Sequence, residues 1–291
     1  MKRIAFIIPF FYKWGNYSNV RANYEFLQKH GYIVDIYSKK DNKPINFDNY
    51  DLVMMHGSGA FLTDEQFKNC KIPIIALGWS DPNMFNEVHF NQGTIYCTND
   101  LTLSHELKGK PIYFYNTACD KRHHIDLKLK KETDILVYGV GKHPFVPNRN
   151  KVVNNLRRDG FSVKVFGRNW DSHKDTYDFI EGEGLSCEIC KAHILLDVTN
   201  KETAWGHRVF ESSARGTPVL TIDREDTRSM FEPDSEIVLY KNYNDMKEKL
   251  TFYLKSKEIL REIGINAQKR CYKDHDISIK IKELIKIIGD F

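Results

Sequence analysis

The sequence predicts an α/β protein of two similar domains, each built on a parallel sheet that is covered on both faces. Short apolar runs alternate with amphipathic stretches along the chain, and these runs are continuous, as in strands buried on both sides. The alternation is interrupted by a polar, basic segment at 117–133, which predicts a linker. A chain of 291 residues with 41% hydrophobic residues can bury two cores, which excludes a disordered protein.

The first half begins with a strand–helix–strand unit. The apolar run 2–10 predicts a strand, the amphipathic stretch 18–31 a helix capped by Ser18 and ended by Gly31, and 32–38 the next strand. A further helix is predicted to start at Thr63. The remaining predicted strands of this half are 51–57, 72–78, 94–99 and 111–116.

The second half repeats the pattern. Its predicted strands are 134–141, 162–170, 193–199, 217–223 and 236–241, and its predicted helices are 149–160, one around 187–192, 208–215 and the helical tail 244–291.

The domain boundaries follow from this alternation. We predict two Rossmann-like domains, 1–120 and 134–270, joined by a linker at 121–133, with helices of the C-terminal segment 271–291 packing back. Such domains bind ligands at the carboxyl ends of their strands, so two of them are expected to face each other across a ligand cleft.

Positive charge is concentrated in the middle of the chain. Residues 121–175 carry 13 Lys and Arg against 6 Asp and Glu, whereas residues 1–120 are balanced at 12 each. This basic block has two interpretations, a solvated face around the linker or an electropositive wall that attracts phosphates.

Other features bound the protein class. The apolar runs are shorter than the roughly 18–20 residues of a membrane span, and the N-terminus shows no signal-peptide cleavage pattern, so a cytoplasmic protein without membrane insertion is expected. Its six cysteines are then reduced. Cys187 and Cys190 form a CxxC that fits buried helix positions better than zinc, and no metal site is predicted.

The most informative stretch for function is 206–223. Gly206 allows a tight turn before a helix, and His207 and Arg208 stand at the opening of that helix, where a phosphate is favoured. Glu211 follows Arg208 by three residues, on the same helical face, and its carboxylate can accept the two hydroxyls of a ribose. A nucleoside-diphosphate site and a capped helix with an ordinary ion pair both fit these residues.

This segment resembles the signature of the GT-B glycosyltransferases, and most closely that of the spore-maturation-type (CgeB-like) family. The resemblance covers 134–276 strongly and the N-terminal half weakly, where WSDP at 79–82 and NTACD at 116–120 are similar to the family's turn and linker entry. The pair Asp274-His275 resembles the end of the family's C-terminal helix. The signature residues are Arg208, Phe210, Glu211, Ala214, Gly216 and Thr217.

The resemblance implies a GT-B fold and a metal-independent transferase. An enzyme of this kind moves a hexosyl or pentosyl group from a nucleoside-diphosphate sugar. We expect a UDP-sugar as co-substrate, with no other cofactor. The ribose role falls on Glu211. Many retaining GT-B enzymes place a second glutamate so that seven residues separate the pair, but that position is Thr203 here and Glu202 is one residue out of register.

Further candidates lie at other strand ends. Gly141, Lys142 and Arg168 lie at the ends of two strands of the second domain. They are candidates for the diphosphate site, with Arg208 as the main stabiliser of its charge. Asp81 follows the fourth strand, where GT-B enzymes carry a residue that acts on the acceptor hydroxyl; it also fits an ordinary Asp-Pro turn.

The acceptor stays open at this stage. A saccharide or a protein glycan is one class. Hydroxymethylated DNA is another, because phage enzymes that glycosylate such bases have GT-B folds and the basic block could bind a phosphate backbone. A third hypothesis is a catalytically degenerate GT-B module that holds a nucleotide without turnover.

Overall fold

The computed structural model describes residues 2–8, 19–38, 43–57, 59–78, 85–115, 118–142, 148–199 and 206–289. The chain forms two compact units, one from 1–117 with 277–291 and the other from 118–276. The sequence-based boundaries at 120, 133 and 270 stay a prediction.

The first unit contains a six-stranded parallel sheet in the order β2-β1-β3-β4-β5-β6. Its strands are β1 (Arg3–Ile8), β2 (Ile33–Ser38), β3 (Leu52–His56), β4 (Ile74–Gly78), β5 (Ile95–Thr98) and β6 (Ile112–Phe114). Its helices, numbered in chain order, are α1 (Asn19–Lys29), α2 (Asp64–Asn69), α3 (Glu87–Gln92), α4 (Leu101–Glu106) and α11 (Ile277–Gly289).

Local sequence explains these elements. Every residue of β3 and β4 is buried, as expected of strands covered on both faces. The predicted helix start at Thr63 is confirmed, because Thr63 and Gln66 form a capping box at the beginning of α2. The terminal helix α11 contacts α1 in this unit, and Nζ of Lys2 donates to the carbonyl of Ile288 at 3.0 Å.

The second unit contains another six-stranded parallel sheet, in the order β12-β11-β10-β7-β8-β9. Its strands are β7 (Thr133–Val140), β8 (Val163–Arg168), β9 (Thr176–Tyr177), β10 (Ala192–Asp197), β11 (Val219–Ile222) and β12 (Val238–Tyr240). Its helices are α5 (Arg149–Arg158), α6 (Gly182–Lys191), α7 (Arg208–Ser213), α8 (Glu225–Met230), α9 (Tyr243–Lys255) and α10 (Lys257–Asp274). The predicted α/β class with two parallel sheets is confirmed.

The strand order of the second unit creates a binding position. Strand β7 comes first along the chain and pairs with β8 on one side and β10 on the other, so the direction of winding reverses between β7 and β10. Ligands of doubly wound sheets bind outside the carboxyl ends of the strands at this switch point. Here the strand ends are Val140 of β7 and Asp197 of β10.

Glycines allow β7 and β8 to pass closely at this edge. Gly139 and Gly167 are paired in the ladder and have positive φ angles of 120° and 141°. A Cβ on Gly167 would lie 1.7 Å from the carbonyl oxygen of Gly139, and Nε1 of Trp170 donates to that same oxygen at 2.8 Å. A side chain at Gly167 is therefore excluded.

None of the helices formed by the described residues has the length and apolar character needed to cross a membrane.

Candidate functional site at the carboxyl edge of the second sheet

Helix α7 carries the most informative sequence motif and is shorter than predicted. It runs from Arg208 to Ser213, whereas the sequence predicted 208–215, because Ala214 caps the helix and Gly216 takes a positive φ of 69° in the turn that leads to β11. His207 is the N-cap residue and makes no capping hydrogen bond through its side chain. With six residues in α7, the chemistry of the site depends on side chains rather than on the helix terminus.

Arg208 is held by an acidic residue from the neighbouring strand end. Its Nε donates to Oδ1 of Asp197 at 2.7 Å, and Asp197 is completely buried. Burial lowers the pKa of the Arg208 guanidinium, but Asp197, Tyr138 and Glu211 together raise it by more, so its pKa lies above the ordinary value. The side chain is a permanent cation.

Two glycines flank this guanidinium. A Cβ at Gly206 would lie 3.2 Å from Nη2 of Arg208, and a Cβ at Gly139 would lie 3.4 Å from Nη1. The absence of side chains at both positions leaves the backbone close to the guanidinium. The predicted role of Gly206 in a tight turn and in nucleotide binding stays a prediction.

Glu211 is held by a tyrosine and not by Arg208. The hydroxyl of Tyr138, on β7, donates to Oε2 of Glu211 at 2.6 Å, so the simple ion pair between Arg208 and Glu211 that the sequence allowed is not formed among the described contacts. Burial raises the pKa of the Glu211 carboxyl. The imidazoles of His124 and His207 and the hydrogen bond from Tyr138 together lower that pKa by more than burial raises it. Its pKa therefore lies below the ordinary value, and the carboxylate is an acceptor at neutral pH.

His207 lies beside these two groups. Burial and the charge of Arg208 lower the pKa of its imidazole, which the nearby Glu211 opposes. The ring is consequently neutral at physiological pH.

A second buried arginine, which the sequence analysis did not identify, lies at the same place. Arg149 is the first residue of α5 and is 5% exposed. Its Nε donates to the carbonyl of Val198 and its Nη1 to that of Val140, both at 2.9 Å, and a Cβ at Gly139 would lie 3.9 Å from Nη1. Arg149 and Arg208 therefore converge on Gly139.

The environment of Arg149 is unfavourable for its charge. Burial, with the nearby Arg208, lowers the pKa of its guanidinium to about 10. Arg149 is almost completely buried and the Arg208 side chain is 20% exposed, and two such cations side by side are typical of a site that receives an anion. The signal available in the sequence was a basic residue at the predicted start of α5, the helix that follows the glycine-containing strand end at 139–141. We call Tyr138, Arg149, Asp197, Arg208 and Glu211 the switch-point cluster.

The other sequence candidates of this unit have different surroundings. Gly141 packs closely against its neighbours, because a Cβ there would lie 2.6 Å from the carbonyl oxygen of Asn169, and its place in the diphosphate site stays a prediction. Nζ of Lys142 pairs with Oδ1 of Asp171 at 2.8 Å on the surface. Within the described part of the chain, Lys142 contacts neither Arg208 nor Glu211, and its role in phosphate binding stays a prediction.

Arg168 also points to a different group. Its guanidinium lies over the ring of Phe179, 5.1 Å from the ring centre, and Phe179 is 50% exposed. Arg168 makes no described contact with the switch-point cluster, so its predicted part in the diphosphate site is likewise untested.

Several predicted positions lie outside the described residues. They are Ser18, the predicted cap of the first helix, Asp81 with the WSDP turn, Asn116 and Thr117 of the NTACD segment, and Glu202 and Thr203, the two candidates for the second carboxylate position.

His275, of the Asp274-His275 pair, packs against Phe210 of helix α7. Nε2 of His275 donates to the carbonyl of Met230 at 3.0 Å, and its ring packs between Phe210 and Phe231 with centroid distances of 5.1 and 5.2 Å. Since Phe210 belongs to α7, this histidine fixes the helix that carries Arg208 and Glu211.

The basic block is largely engaged within the fold. Lys128 pairs with Asp126 at 2.7 Å, and Lys164 pairs with Glu188. Nη2 of Arg157 donates to two carbonyl groups, and Arg149 belongs to the switch-point cluster. Several charges of the block therefore have partners within the second unit.

No group of three or more His, Cys, Asp or Glu side chains that could hold a metal ion occurs among the described residues.

Comparison with known proteins identifies the fold. Residues 149–286 match a family model described as glycosyl transferase-like. Among curated proteins, no sequence gives a significant match. The matched model does not distinguish the spore-maturation-type family, so that finer assignment stays a prediction.

Solved structures match the chain along its whole length. A sucrose-phosphate synthase from Thermosynechococcus elongatus superposes with a TM-score of 0.74 at 13% identity, covering 100% of both chains. HepE from Anabaena, solved with UDP and glucose, gives 0.72 at 11% identity, again with complete coverage of both chains. An α-glucosyltransferase solved with UDP and a 13-mer DNA gives 0.68 at 12% identity over 99% of each chain. The chain thus has the GT-B glycosyltransferase fold, and its segment 149–286 matches the glycosyl transferase-like family.

Proposed function

We propose that this protein is a glycosyltransferase that moves a sugar from a nucleoside-diphosphate sugar to an acceptor hydroxyl. The observation that carries the proposal is the convergence of Arg149 and Arg208 on Gly139 at the sheet's switch point. Among the described contacts, Arg149 donates to carbonyl groups and not to a carboxylate, and Asp197 takes only Nε of Arg208. A diphosphate can therefore accept from both guanidinium groups, whose donors match phosphate oxygens in geometry.

The position of Glu211 supports a nucleotide rather than a free diphosphate. Its carboxylate lies one helical turn from Arg208 and is already oriented by the Tyr138 hydroxyl. A carboxylate with remaining lone pairs can accept both hydroxyls of a ribose. We therefore assign the ribose to Glu211 and the diphosphate to the two arginines.

The chemistry follows from charge. When the bond between the sugar and the diphosphate breaks, negative charge grows on the leaving phosphate, and fixed cations beside it stabilise the transition state. Arg208 and Arg149 would provide this stabilisation, so we expect transfer to proceed in the presence of EDTA. Asp81 is proposed as the group that acts on the acceptor hydroxyl, from the family resemblance alone.

Uracil is the proposed base. HepE and the DNA-bound α-glucosyltransferase, which share this fold, were solved with UDP. We expect UDP to raise the melting temperature more than GDP, ADP or uridine at equal concentration, because a ligand at 100 times its Kd adds about 2.7 kcal/mol of stability.

Turnover separates the enzyme from a degenerate module. Incubation with UDP-glucose, UDP-galactose or UDP-xylose and a pool of saccharide acceptors should release free UDP. Stabilisation by UDP without UDP release from any of these donors would support the nucleotide-binding module instead. Absence of stabilisation by every nucleotide would remove the donor assignment altogether.

A further inference from the structure

A buried carboxylate stands behind the proposed phosphate-binding arginine. Asp197 ends β10 with a side chain that is 0% exposed. In the ladder it is paired with Thr221 of β11, whose hydroxyl lies 3.4 Å from Oδ2, while Oδ1 accepts the bond from Nε of Arg208. The register of the sheet therefore fixes where this carboxylate stands.

The contact uses one particular donor of Arg208. Within the described part of the chain, Nε is the guanidinium nitrogen that is hydrogen-bonded, whereas Nη1 and Nη2 lie against Gly139 and Gly206. A guanidinium group is planar and rigid, so a bond at Nε sets the direction of the other two nitrogens. Asp197 orients the group without occupying the donors that would face a ligand.

Asp197 also limits the positive charge. Among the described residues, it is the carboxylate in direct contact with either guanidinium, since Arg149 donates to the carbonyl groups of Val140 and Val198. Without it, neither guanidinium would have a carboxylate in direct contact among the described residues until a ligand arrived, which is costly for two like charges side by side in a low-dielectric environment.

We propose that Asp197 is a positioning residue of the donor site, holding Arg208 through Nε so that Nη1 and Nη2 are presented to the diphosphate. This rests on the proposed function, because it assumes that a nucleoside diphosphate occupies the switch-point cluster. Asp197 does not touch the ligand in this arrangement, and its contribution passes through Arg208.

The test compares two ligands that differ in their phosphates. Affinities of UDP and uridine are measured by calorimetry for the wild-type protein and for Asp197→Ala. If Asp197 positions Arg208, the UDP-to-uridine affinity ratio falls about tenfold while uridine affinity stays within twofold. A merely structural role would lower both affinities together and leave the ratio unchanged, which overturns the proposal. A rise in this ratio also overturns the proposal. It would mean that losing the negative charge of Asp197 favours the diphosphate more than losing the orientation of Arg208 disfavours it.

Two further variants keep the test decisive. Asp197→Asn preserves the shape of the side chain in case the alanine variant does not fold, and it should lower the ratio at least threefold because a neutral amide is a weaker acceptor. Asp226→Asn is the matched control, since Asp226 is a buried partner of Arg224 at 2.7 Å in the same unit. Its ratio should equal that of the wild type, and a drop as large as that of Asp197→Asn would show an unspecific effect and overturn the proposal.

The wild-type result separates the two levels of inference. If the wild-type protein binds UDP no better than uridine, the diphosphate assignment itself fails. If the wild type discriminates and Asp197→Ala discriminates equally well, the donor site stands and the positioning role of Asp197 fails.

Discussion

The hydroxyl of Tyr138 lies 2.6 Å from Oε2 of Glu211 and donates a hydrogen bond to it. The tyrosine belongs to the first strand of its sheet and the glutamate to a short helix after the fourth, so the bond joins two distant parts of the sequence. It orients the carboxylate that we assign to the ribose before any ligand arrives, and preorganisation of this kind reduces the free-energy cost of binding.

Tyr138→Phe should weaken UDP binding about tenfold, because Glu211 loses its orienting donor and a hydrogen bond to a charged group contributes about 1.5 kcal/mol. The loss should be smaller for 2′,3′-dideoxy-UDP, which lacks the hydroxyls that Glu211 would accept. Calorimetry with both ligands measures this difference.

The control for that variant is Tyr253→Phe. Tyr253 donates to Oδ1 of Asp234 at 3.0 Å, a bond of the same chemistry elsewhere in the second unit. Its removal should leave UDP affinity unchanged. Equal losses for UDP and the dideoxy ligand in Tyr138→Phe would argue against a ribose role for Glu211.

Arg208→Ala should reduce transfer about a hundredfold or more, because a charge-assisted contact to the leaving diphosphate contributes on the order of 3 kcal/mol to the transition state. The structure adds a second effect. Removal of Arg208 leaves the Asp197 carboxylate buried without its cation, which should lower the free energy of unfolding by about 3 kcal/mol. Transfer rate and urea unfolding are measured on the same samples.

A double variant separates the two effects of Arg208. In Arg208→Met with Asp197→Asn, the Asp197 carboxylate is no longer left buried without its cation, so stability should recover most of the loss while transfer stays low. Recovery of transfer together with stability would show that Arg208 acts on the fold alone and has no part in the chemistry.

Arg149→Met should lower UDP affinity about tenfold and leave uridine affinity unchanged. The side chain is 5% exposed and beside Arg208, and its loss removes one of the two proposed phosphate-binding cations while relieving the repulsion between them. Arg157→Met is the comparison, because Arg157 also donates to backbone carbonyls but has none of the cluster residues as described partners. An equal effect of both variants on UDP would indicate a general structural loss.

Most of the architecture could be predicted from the sequence, because the features that indicate strands and helix starts are local in the chain. Continuous apolar runs identified strands such as β3 and β4, and the Thr63 capping position identified the start of α2. The short helices α3, α4 and α8 were not predicted. Each spans six residues, too few to display the periodicity on which helix prediction depends.

The candidate site could be predicted only in part from the sequence. Arg208 and Glu211 stand in one motif and were found together, but their partners Asp197 and Tyr138 are separated from them by 11 and 73 positions. These pairings arise from strand order, which a single sequence does not specify. Arg149 was missed for the same reason, because its significance comes from the spatial convergence with Arg208 and not from any local spacing.

The stability of the first unit should depend on pH through His89. This residue of α3 is completely buried, and burial lowers the pKa of its imidazole to about 4, an effect that its hydrogen bond with the Met55 carbonyl opposes. A histidine in the unfolded chain has a pKa of about 6.5. Between about pH 6.5 and pH 4 the unfolded chain is therefore protonated at this position, whereas the folded protein is not. The stabilising contribution is therefore complete above about pH 6.5 and is lost progressively as the pH falls towards 4.

The expected loss between pH 7 and 5 is on the order of 2 kcal/mol, and His89→Phe should remove most of it. Hydrogen exchange of amides in β3 and β4 reports on this unit alone. His105→Phe, at an exposed position of α4, should leave the pH dependence as it is in the wild type. A pH response that persists in His89→Phe would assign the effect to other groups.

The acceptor can be tested through its dependence on salt. A DNA acceptor would release bound counterions when it binds, so the logarithm of its affinity would fall by about 0.9 for each phosphate contact per decade of salt concentration. A neutral saccharide has no condensed counterions to release, so its affinity should depend little on salt. Lys128, Lys142 and Lys164 of the basic block are paired with carboxylates, which leaves fewer cations for a backbone. We therefore expect an acceptor KM, measured with saturating donor, whose slope corresponds to less than one contact. Efficient transfer to duplex DNA containing a hydroxymethylated base, with a slope of several contacts, would instead place this protein with the DNA-modifying enzymes, and unmodified duplex of the same sequence is the control.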